Sequence, residues 1–161
     1  GNFVPMLEQS EQDWDRTINT NLKSIWLSVQ AQARAMKETG GAIVNTSSWL
    51  ALGGLPGSTT YSASKAGIDG LLRPAALELA EMSIRINNIN PGGVDTEMTR
   101  EAFQHDAETL NAFGKSHPSG RMGTPEEIAD LAAFLVSDRA SNITGQAIVI
   151  DGGYTIPGQR G

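Results

Sequence analysis

The sequence contains no cysteine among its 161 residues. Disulfides, thiol nucleophiles and cysteine-based zinc sites are therefore excluded, and nothing indicates an oxidising compartment. Long apolar runs are missing too. The longest one covers residues 131–136, far short of the roughly 20 residues that a membrane-spanning helix needs. Because the N-terminus shows no signal-peptide pattern, we expect a cytoplasmic protein without a membrane partner.

Positive charge is scarce. Lys and Arg together number 12 against 18 Asp and Glu, which gives a net charge of −6. Nucleic-acid binding depends on basic side chains that neutralise phosphates, so we do not expect a nucleic-acid partner. The apolar content of 39% and the length suit one globular domain over residues 1–161. This composition fits an enzyme of small molecules and equally any other acidic globular protein.

Helical and strand patterns alternate along the chain. Apolar spacing and capping residues predict helices over 10–39, 61–81 and 124–136, and strands over 42–44, 84–90 and 147–150. Such alternation predicts an α/β fold with a parallel sheet and right-handed crossovers. Pro74 lies inside the second helix, where it should produce a kink. Small residues on that helix, Gly67 and Gly70 among them, should allow another helix to approach closely.

Polar residues follow the first two strands, where ligands bind in open α/β sheets. Ser48 comes after the first strand, and Tyr61 and Lys65 lie one turn apart on the second helix. A phenol has a pKa of ~10, and a neighbouring ammonium is expected to lower it towards neutral pH. With Ser48 positioned to hydrogen-bond a substrate oxygen, the three residues predict proton transfer at a carbonyl or alcohol.

Each of these residues also has a purely structural interpretation. Tyr-x-x-x-Lys alone is more often an exposed pair on a helix, and Ser48 would suit a turn. Asn21 lies on the apolar stripe of the first helix, so it needs a polar partner; a cap on neighbouring backbone and a catalytic role both stay open. His105 and His117 lack metal-ligand spacing and are expected to face solvent. We predict no metal site.

The combination of motifs resembles the short-chain dehydrogenase/reductase family. Ser48 is followed after twelve residues by Tyr61-Ser62-Ala63-Ser64-Lys65, which is similar to the active-site motif of that family. Three further blocks resemble family motifs in the same order, at residues 19–22, 87–96 and 143–153. The resemblance covers nearly the whole chain.

The resemblance implies a Rossmann-like, doubly wound parallel sheet in three layers, of which this chain would be the C-terminal half to two-thirds. It implies Tyr61 as general acid/base, Lys65 as its pKa-lowering partner and ribose ligand, Ser48 as substrate-orienting residue and Asn21 as holder of a relay water. Residues implied to line the nicotinamide of NAD or NADP are Pro91, Gly92, Val94 and Thr96. The implied substrate is a small secondary alcohol or ketone, and the implied assembly is a homodimer or homotetramer.

The resemblance is incomplete at one end. The glycine-rich loop that holds the dinucleotide phosphates in this family does not occur in the sequence. The acidic or basic residue that selects NAD or NADP in the family is absent as well, so the choice between the two cofactors stays open. Gly1 resembles the end of the family's Asn-Asn-Ala-Gly motif, which implies that about 90 residues, roughly three strand–helix units, are missing. A non-catalytic fragment that serves only as a structural remnant is therefore the alternative to an enzyme. Residues 97–120 are expected to form a substrate lid.

Overall fold

Three apolar segments pair as parallel strands in the computed structural model, which describes residues 3–156. The strands are β1 (Gly41–Thr46), β2 (Ile84–Pro91) and β3 (Ala147–Ile150), and β2 lies in the centre of the sheet. Ile43 is paired with Ile86, and Ile89 with Ile148. The predicted α/β fold with a parallel sheet is confirmed. The interpretation of Gly1 lies outside the described residues.

The first predicted helix contains an irregular turn. It consists of α1 (Glu11–Ile18), a π-helical turn (Asn19–Lys23) and α2 (Ser24–Met36), which follow one another without a break. Ser10 caps its N-terminus by accepting a hydrogen bond from the Asp13 backbone N–H at 3.1 Å, as the sequence predicted. π turns are rare and occur mainly as single turns inside α-helices, frequently at functional sites. Here the π turn contains Asn21.

Four further helices complete the described fold. They are α3 (Thr59–Ala80), α4 (Glu97–Ala102), α5 (Ala107–Lys115) and α6 (Pro125–Val136). The helix α3 continues through Pro74. The predicted helix over 124–136 is present, and at its start Thr124 and Glu127 form a capping box, with Pro125 in the first turn.

Alternate side chains of the strands enter two separate cores. Ile43, Ile84 and Ile86 pack with residues of α2 and α3, whereas Val44, Ile89 and Ile148 pack with Leu135 and other residues of α6. Since successive side chains of a strand point to opposite faces, helices cover both faces of the sheet. The result is the predicted three-layer arrangement, a partial Rossmann-like fold.

The small-residue face of α3 has a clear use at one position. A Cβ atom at Gly67 would lie 2.7 Å from a methyl carbon of Leu22, so glycine allows the π turn to approach α3 closely. At Gly70 a Cβ atom would meet open space among the described residues. The predicted close approach is thus confirmed for Gly67 and not for Gly70.

Candidate active site

Ser48 is held at the carboxyl end of β1 by its own backbone and side chain. The residue is buried, and its hydroxyl accepts a hydrogen bond from the Leu50 backbone N–H at 3.1 Å. Its carbonyl oxygen accepts one from Nδ2 of Asn90 on β2, also at 3.1 Å. Because the hydroxyl begins a short 3-10 turn over Trp49–Ala51, the turn fixes the hydroxyl near the end of the sheet.

Tyr61 and Lys65 lie one turn apart on α3 and beside Ser48. The Lys65 Nζ donates a hydrogen bond to the Thr46 carbonyl at 3.0 Å and lies 5.6 Å from the centre of the Tyr61 ring. The Ser47 hydroxyl donates to the Lys65 carbonyl at 3.1 Å. The Ser48 side chain lies close enough to the Tyr61 hydroxyl to influence its pKa. The structure thus brings together the three residues that the sequence predicted for proton transfer.

Burial controls the electrostatics of this group. Burial raises the pKa of Tyr61 above its usual value, and the hydrogen bond with Ser48 opposes that effect. Burial likewise lowers the pKa of Lys65, while the charge of Asp69 opposes this. The pKa of Tyr61 is therefore raised, whereas the sequence led us to expect a lowered pKa. The reason is that desolvation of the phenolate has the largest effect on this pKa.

Asn21 has a side-chain partner on α3. Its Nδ2 donates to the Ser64 hydroxyl at 3.1 Å, and that hydroxyl donates to the Tyr61 carbonyl at 2.7 Å. Ser64 is completely buried. This connection links the π turn to the helical turn that carries Tyr61. The Asn21 amide nitrogen thus has a structural partner, which is a hydroxyl and not the backbone; the water-relay role stays a prediction.

The loop after β2 has a tightly determined path. The Gly92 N–H donates to the Ile150 carbonyl at 3.0 Å, and a Cβ atom at Gly92 would lie 2.6 Å from Cβ of Asp151. Val94 forms an isolated parallel bridge with Gly123. The Thr96 hydroxyl caps α4 by accepting from the Thr99 N–H at 3.3 Å. Pro91, at the end of β2, begins the loop, whose nicotinamide contacts stay a prediction.

Residues 97–120 contain α4, α5 and a buried histidine. His117 is only 2% exposed, so the expectation that it faces solvent was wrong. It lies in a group of aromatic rings: 4.5 Å from Tyr154, 5.0 Å from Phe113. The other histidine, His105, is exposed as expected, near Glu97. Packing against the rings of Phe113 and Tyr154 therefore buries His117, although its polarity suggested a position on the surface.

A set of buried amides below the site was missed by the sequence reasoning. Asn45, Asn88 and Asn90 lie on the strand faces that meet α3, and their amides connect to the Asp69 carboxylate. The sequence contained a signal for this set. Asn88 and Asn90 lie two and four residues after Ile86, so they share the buried face of β2 with Ile84 and Ile86. Polar residues on a buried strand face need partners, and α3 supplies one.

Within residues 3–156, no three His, Cys, Asp or Glu side chains are grouped so that they could hold a metal ion. The same described portion contains no helix that is both long and apolar enough to cross a membrane.

Comparison with known proteins relates this arrangement to a family. A family model described as Enoyl-(Acyl carrier protein) reductase matches residues 2–155. A 3-oxoacyl-(acyl-carrier-protein) reductase of Chlamydia trachomatis is 45% identical over 149 residues, which cover 92% of this chain and 59% of that protein. A cyclohexanol dehydrogenase of Acinetobacter is 44% identical over 149 residues, covering 92% of this chain and 57% of that protein.

A human (3R)-3-hydroxyacyl-CoA dehydrogenase is 41% identical over 150 residues, covering 92% of this chain and 56% of that protein. The chain thus spans less than two-thirds of the length of these curated relatives. Its matched region includes the Ser48, Tyr61 and Lys65 group and the loop after β2. The chain belongs to the short-chain dehydrogenase/reductase family.

Proposed function

We propose that the protein is an NAD(P)-dependent oxidoreductase that interconverts a small secondary alcohol and a ketone. The observation that carries the proposal is the position of Tyr61, which lies near Ser48 and beside Lys65 at the carboxyl end of the sheet. The names of the relatives support this reaction type, since they include a 3-oxoacyl-(acyl-carrier-protein) reductase and a cyclohexanol dehydrogenase.

Proton transfer at the substrate oxygen is the contribution of the chain. In the direction of reduction, the neutral Tyr61 hydroxyl donates its proton to the carbonyl oxygen of the ketone, and the Tyr61 phenolate takes that proton back in the reverse direction. The Ser48 hydroxyl hydrogen-bonds the same substrate oxygen and holds it near Tyr61. Because burial raises the pKa of Tyr61, the neutral phenol is the form present at neutral pH, which is the form that the acid in reduction requires.

The described residues fit the nicotinamide end of a dinucleotide. The Lys65 ammonium has three N–H donors, of which the Thr46 carbonyl accepts one, so that ribose hydroxyls can be bound by the remainder. Pro91, Gly92, Val94 and Thr96 would line the nicotinamide. When bound, NAD or NADP supplies or accepts the hydride. The sequence contains no family-type loop for the phosphates, so this fit concerns the nicotinamide and its ribose alone.

The remaining parts of the proposal concern recognition and assembly. We propose that residues 97–120 cover the substrate, because they follow the loop after β2 directly and contact it through His117. A homodimer or homotetramer of closed symmetry and a cytoplasmic location are proposed with the family assignment. Asn21 is proposed to hold a water that exchanges protons with Lys65.

Purified protein decides between the enzyme and the non-catalytic fragment. Its intact mass is measured first, followed by fluorescence titration with NADH and NADPH and by assays with cyclohexanol and a 3-oxoacyl thioester. We expect binding of one reduced cofactor and turnover of at least one substrate. Binding of neither cofactor by the 161-residue chain would support the fragment alternative for this chain.

The role of Tyr61 has its own control. Tyr61→Phe removes the proton donor but keeps the ring, so we expect kcat to fall by about 100-fold or more while cofactor binding is retained. Ser62→Ala alters the neighbouring residue without removing a proposed catalytic group, and it should keep near-normal turnover. Normal activity of Tyr61→Phe would contradict the proposed mechanism.

A further inference from the structure

A single carboxylate connects the three elements that form the site. Asp69 on α3 accepts hydrogen bonds from Nδ2 of Asn88 at 2.9 Å and from Nδ2 of Asn90 at 2.7 Å. Both asparagines are completely buried on β2. Asn88 also accepts from Nδ2 of Asn45 on β1 at 3.1 Å. The carboxylate therefore binds two amides of β2 directly and is connected to β1 through Asn88.

The same carboxylate is connected to Ser48 through one amide, that of Asn90. The Asn90 amide nitrogen donates both to Asp69 and to the carbonyl oxygen of Ser48. A buried amide with both N–H groups in use has one orientation, because reversing it would place its oxygen against two acceptors. The path from the Asp69 carboxylate through Asn90 to the Ser48 backbone is thus fixed in direction.

Asp69 is also one turn beyond Lys65, as Lys65 is one turn beyond Tyr61. Burial lowers the pKa of Lys65, and the negative charge of Asp69 opposes this lowering. The Lys65 ammonium donates to the neutral Thr46 carbonyl at the end of β1 and lies near the Tyr61 ring, whereas the Ser47 hydroxyl binds the Lys65 backbone carbonyl. Asp69 is the acidic group whose charge supports Lys65.

We propose that Asp69 is a positioning residue of this site, which holds the Ser48 backbone on the strands at a fixed distance from the Tyr61–Lys65 face of α3. It acts through Asn90 on Ser48 and through its charge on Lys65, and it does not contact the substrate. The expected effect of Asp69 on turnover rests on the proposed oxidoreductase function. Its structural consequence, at Lys65 and at the two amides, does not depend on that function.

The variant Asp69→Asn tests the proposal with little change in size. Its amide has one acceptor oxygen in place of two, so one of the two asparagine amides on β2 loses its partner and meets an N–H donor instead. We expect the pKa of Lys65 to fall further below its usual value. We also expect kcat to fall by about tenfold or more, because misplacement of the reacting groups affects turnover, with a smaller change in KM.

Glu78→Gln provides the matched control, because Glu78 is an exposed acid on the same helix. The pKa of Lys65 is measured by NMR titration of the full chain with labelled lysine, and Lys65→Arg assigns its signal among those of the four lysines. Asn90→Ala complements Asp69→Asn: it breaks the link to Ser48 but keeps the Asp69 charge. It should lower kcat while the pKa of Lys65 stays as in the unmodified protein.

The outcomes separate this inference from the proposed function. If the unmodified protein turns over no substrate, the proposed function fails, and the Lys65 titration still tests Asp69. An unchanged pKa of Lys65 in Asp69→Asn, equal to that in Glu78→Gln, would overturn the inference. If Asp69→Asn does not fold, Asn90→Ala decides, and normal kcat in that variant overturns the positioning role.

Discussion

Nε2 of His117 accepts a hydrogen bond from the backbone N–H of Gly93 at 3.2 Å. Because Nε2 accepts, the neutral ring carries its proton on Nδ1, which donates to the Phe113 carbonyl at 2.8 Å. The imidazole thus connects the end of α5 to the loop after β2. A Cβ atom at Gly93 would lie 3.0 Å from the same ring, so glycine permits the contact.

We expect His117→Ala to destabilise the fold by about 2 kcal/mol or more. The change leaves the buried Gly93 N–H without its acceptor and removes a ring that stacks on Tyr154. His105→Ala is the matched control, because His105 is exposed and its loss should alter stability by at most about 0.5 kcal/mol. Urea unfolding of both variants measures the difference, and equal losses would contradict the structural role of His117.

The Ser48 hydroxyl should control the ionisation of Tyr61. In Ser48→Ala, the hydrogen bond that lowers the pKa of Tyr61 is lost while burial continues to raise it, so the pKa should increase further. The chain has two tyrosines, which makes NMR titration of labelled tyrosine rings straightforward; Tyr61→Phe assigns the signals. Ser62→Ala should leave the pKa of Tyr61 unchanged, and a pKa that falls in Ser48→Ala would refute the prediction.

The raised pKa of Tyr61 also predicts how stability depends on pH. Folding favours the neutral phenol, so this contribution is fully present below the ordinary tyrosine pKa of ~10 and is lost as pH rises through the raised folded-state pKa. We therefore expect Tyr61→Phe to be less sensitive than the unmodified protein to alkaline unfolding. Parallel alkaline unfolding curves for the two proteins would contradict this.

Asn21 and Ser64 form a pair whose two roles can be separated. Either Asn21→Ala or Ser64→Ala removes the hydrogen bond between them, so each should reduce the free energy of unfolding by about 1 kcal/mol. If Asn21 also holds the relay water, Asn21→Ala should lower kcat about tenfold more than Ser64→Ala does. Stability and turnover are measured on both variants; equal kcat values would leave Asn21 with a structural role only.

Two glycines should respond to alanine in opposite directions. At Gly92 the new methyl group would lie 2.7 Å from Cα of Asp151, so Gly92→Ala should destabilise by about 1–3 kcal/mol. At Gly70, inside α3, the methyl group would meet open space, and Gly70→Ala should stabilise the helix by about 0.5–1 kcal/mol. Thermal unfolding of the two variants provides the check, and a loss of stability in Gly70→Ala would indicate an additional contact there.

Local chemistry made much of this fold predictable. Thr124, Pro125 and Glu127 specify the start of α6 through backbone donors that lie within one turn. The spacing of Tyr61 and Lys65 places both on one face of α3, and the order of strands and helices implies that Ser48 lies at the same edge of the sheet. These features depend on neighbours in sequence and on a general rule of parallel sheets.

The unpredicted features depend on burial and on distant partners. Neither the burial of His117 nor the direction of the pKa shift of Tyr61 follows from residue type, because both depend on which side chains exclude water there. Asp69 looked like one more acid on a helix, and its partners lie about 20 residues further along the chain. The π turn was missed because apolar spacing of three and four residues does not distinguish it from a regular helix.

The π turn over Asn19–Lys23 has a consequence for how this helix tolerates length changes. A π turn accommodates about one residue more than a regular α-helical turn. Deleting one residue inside it would therefore let α1 and α2 join as one regular helix, with the apolar side chains before and after the deletion still on the same face. A deletion within α2 would instead rotate all later residues of the helix by about 100°. The first deletion would preserve the core contacts of Val29 and Ala33 and displace the Asn21 amide from Ser64. The extra residue of this turn thus serves the contacts of the turn with α3, those of Asn21 with Ser64 and of Leu22 with Gly67, rather than the phase of the helix on either side.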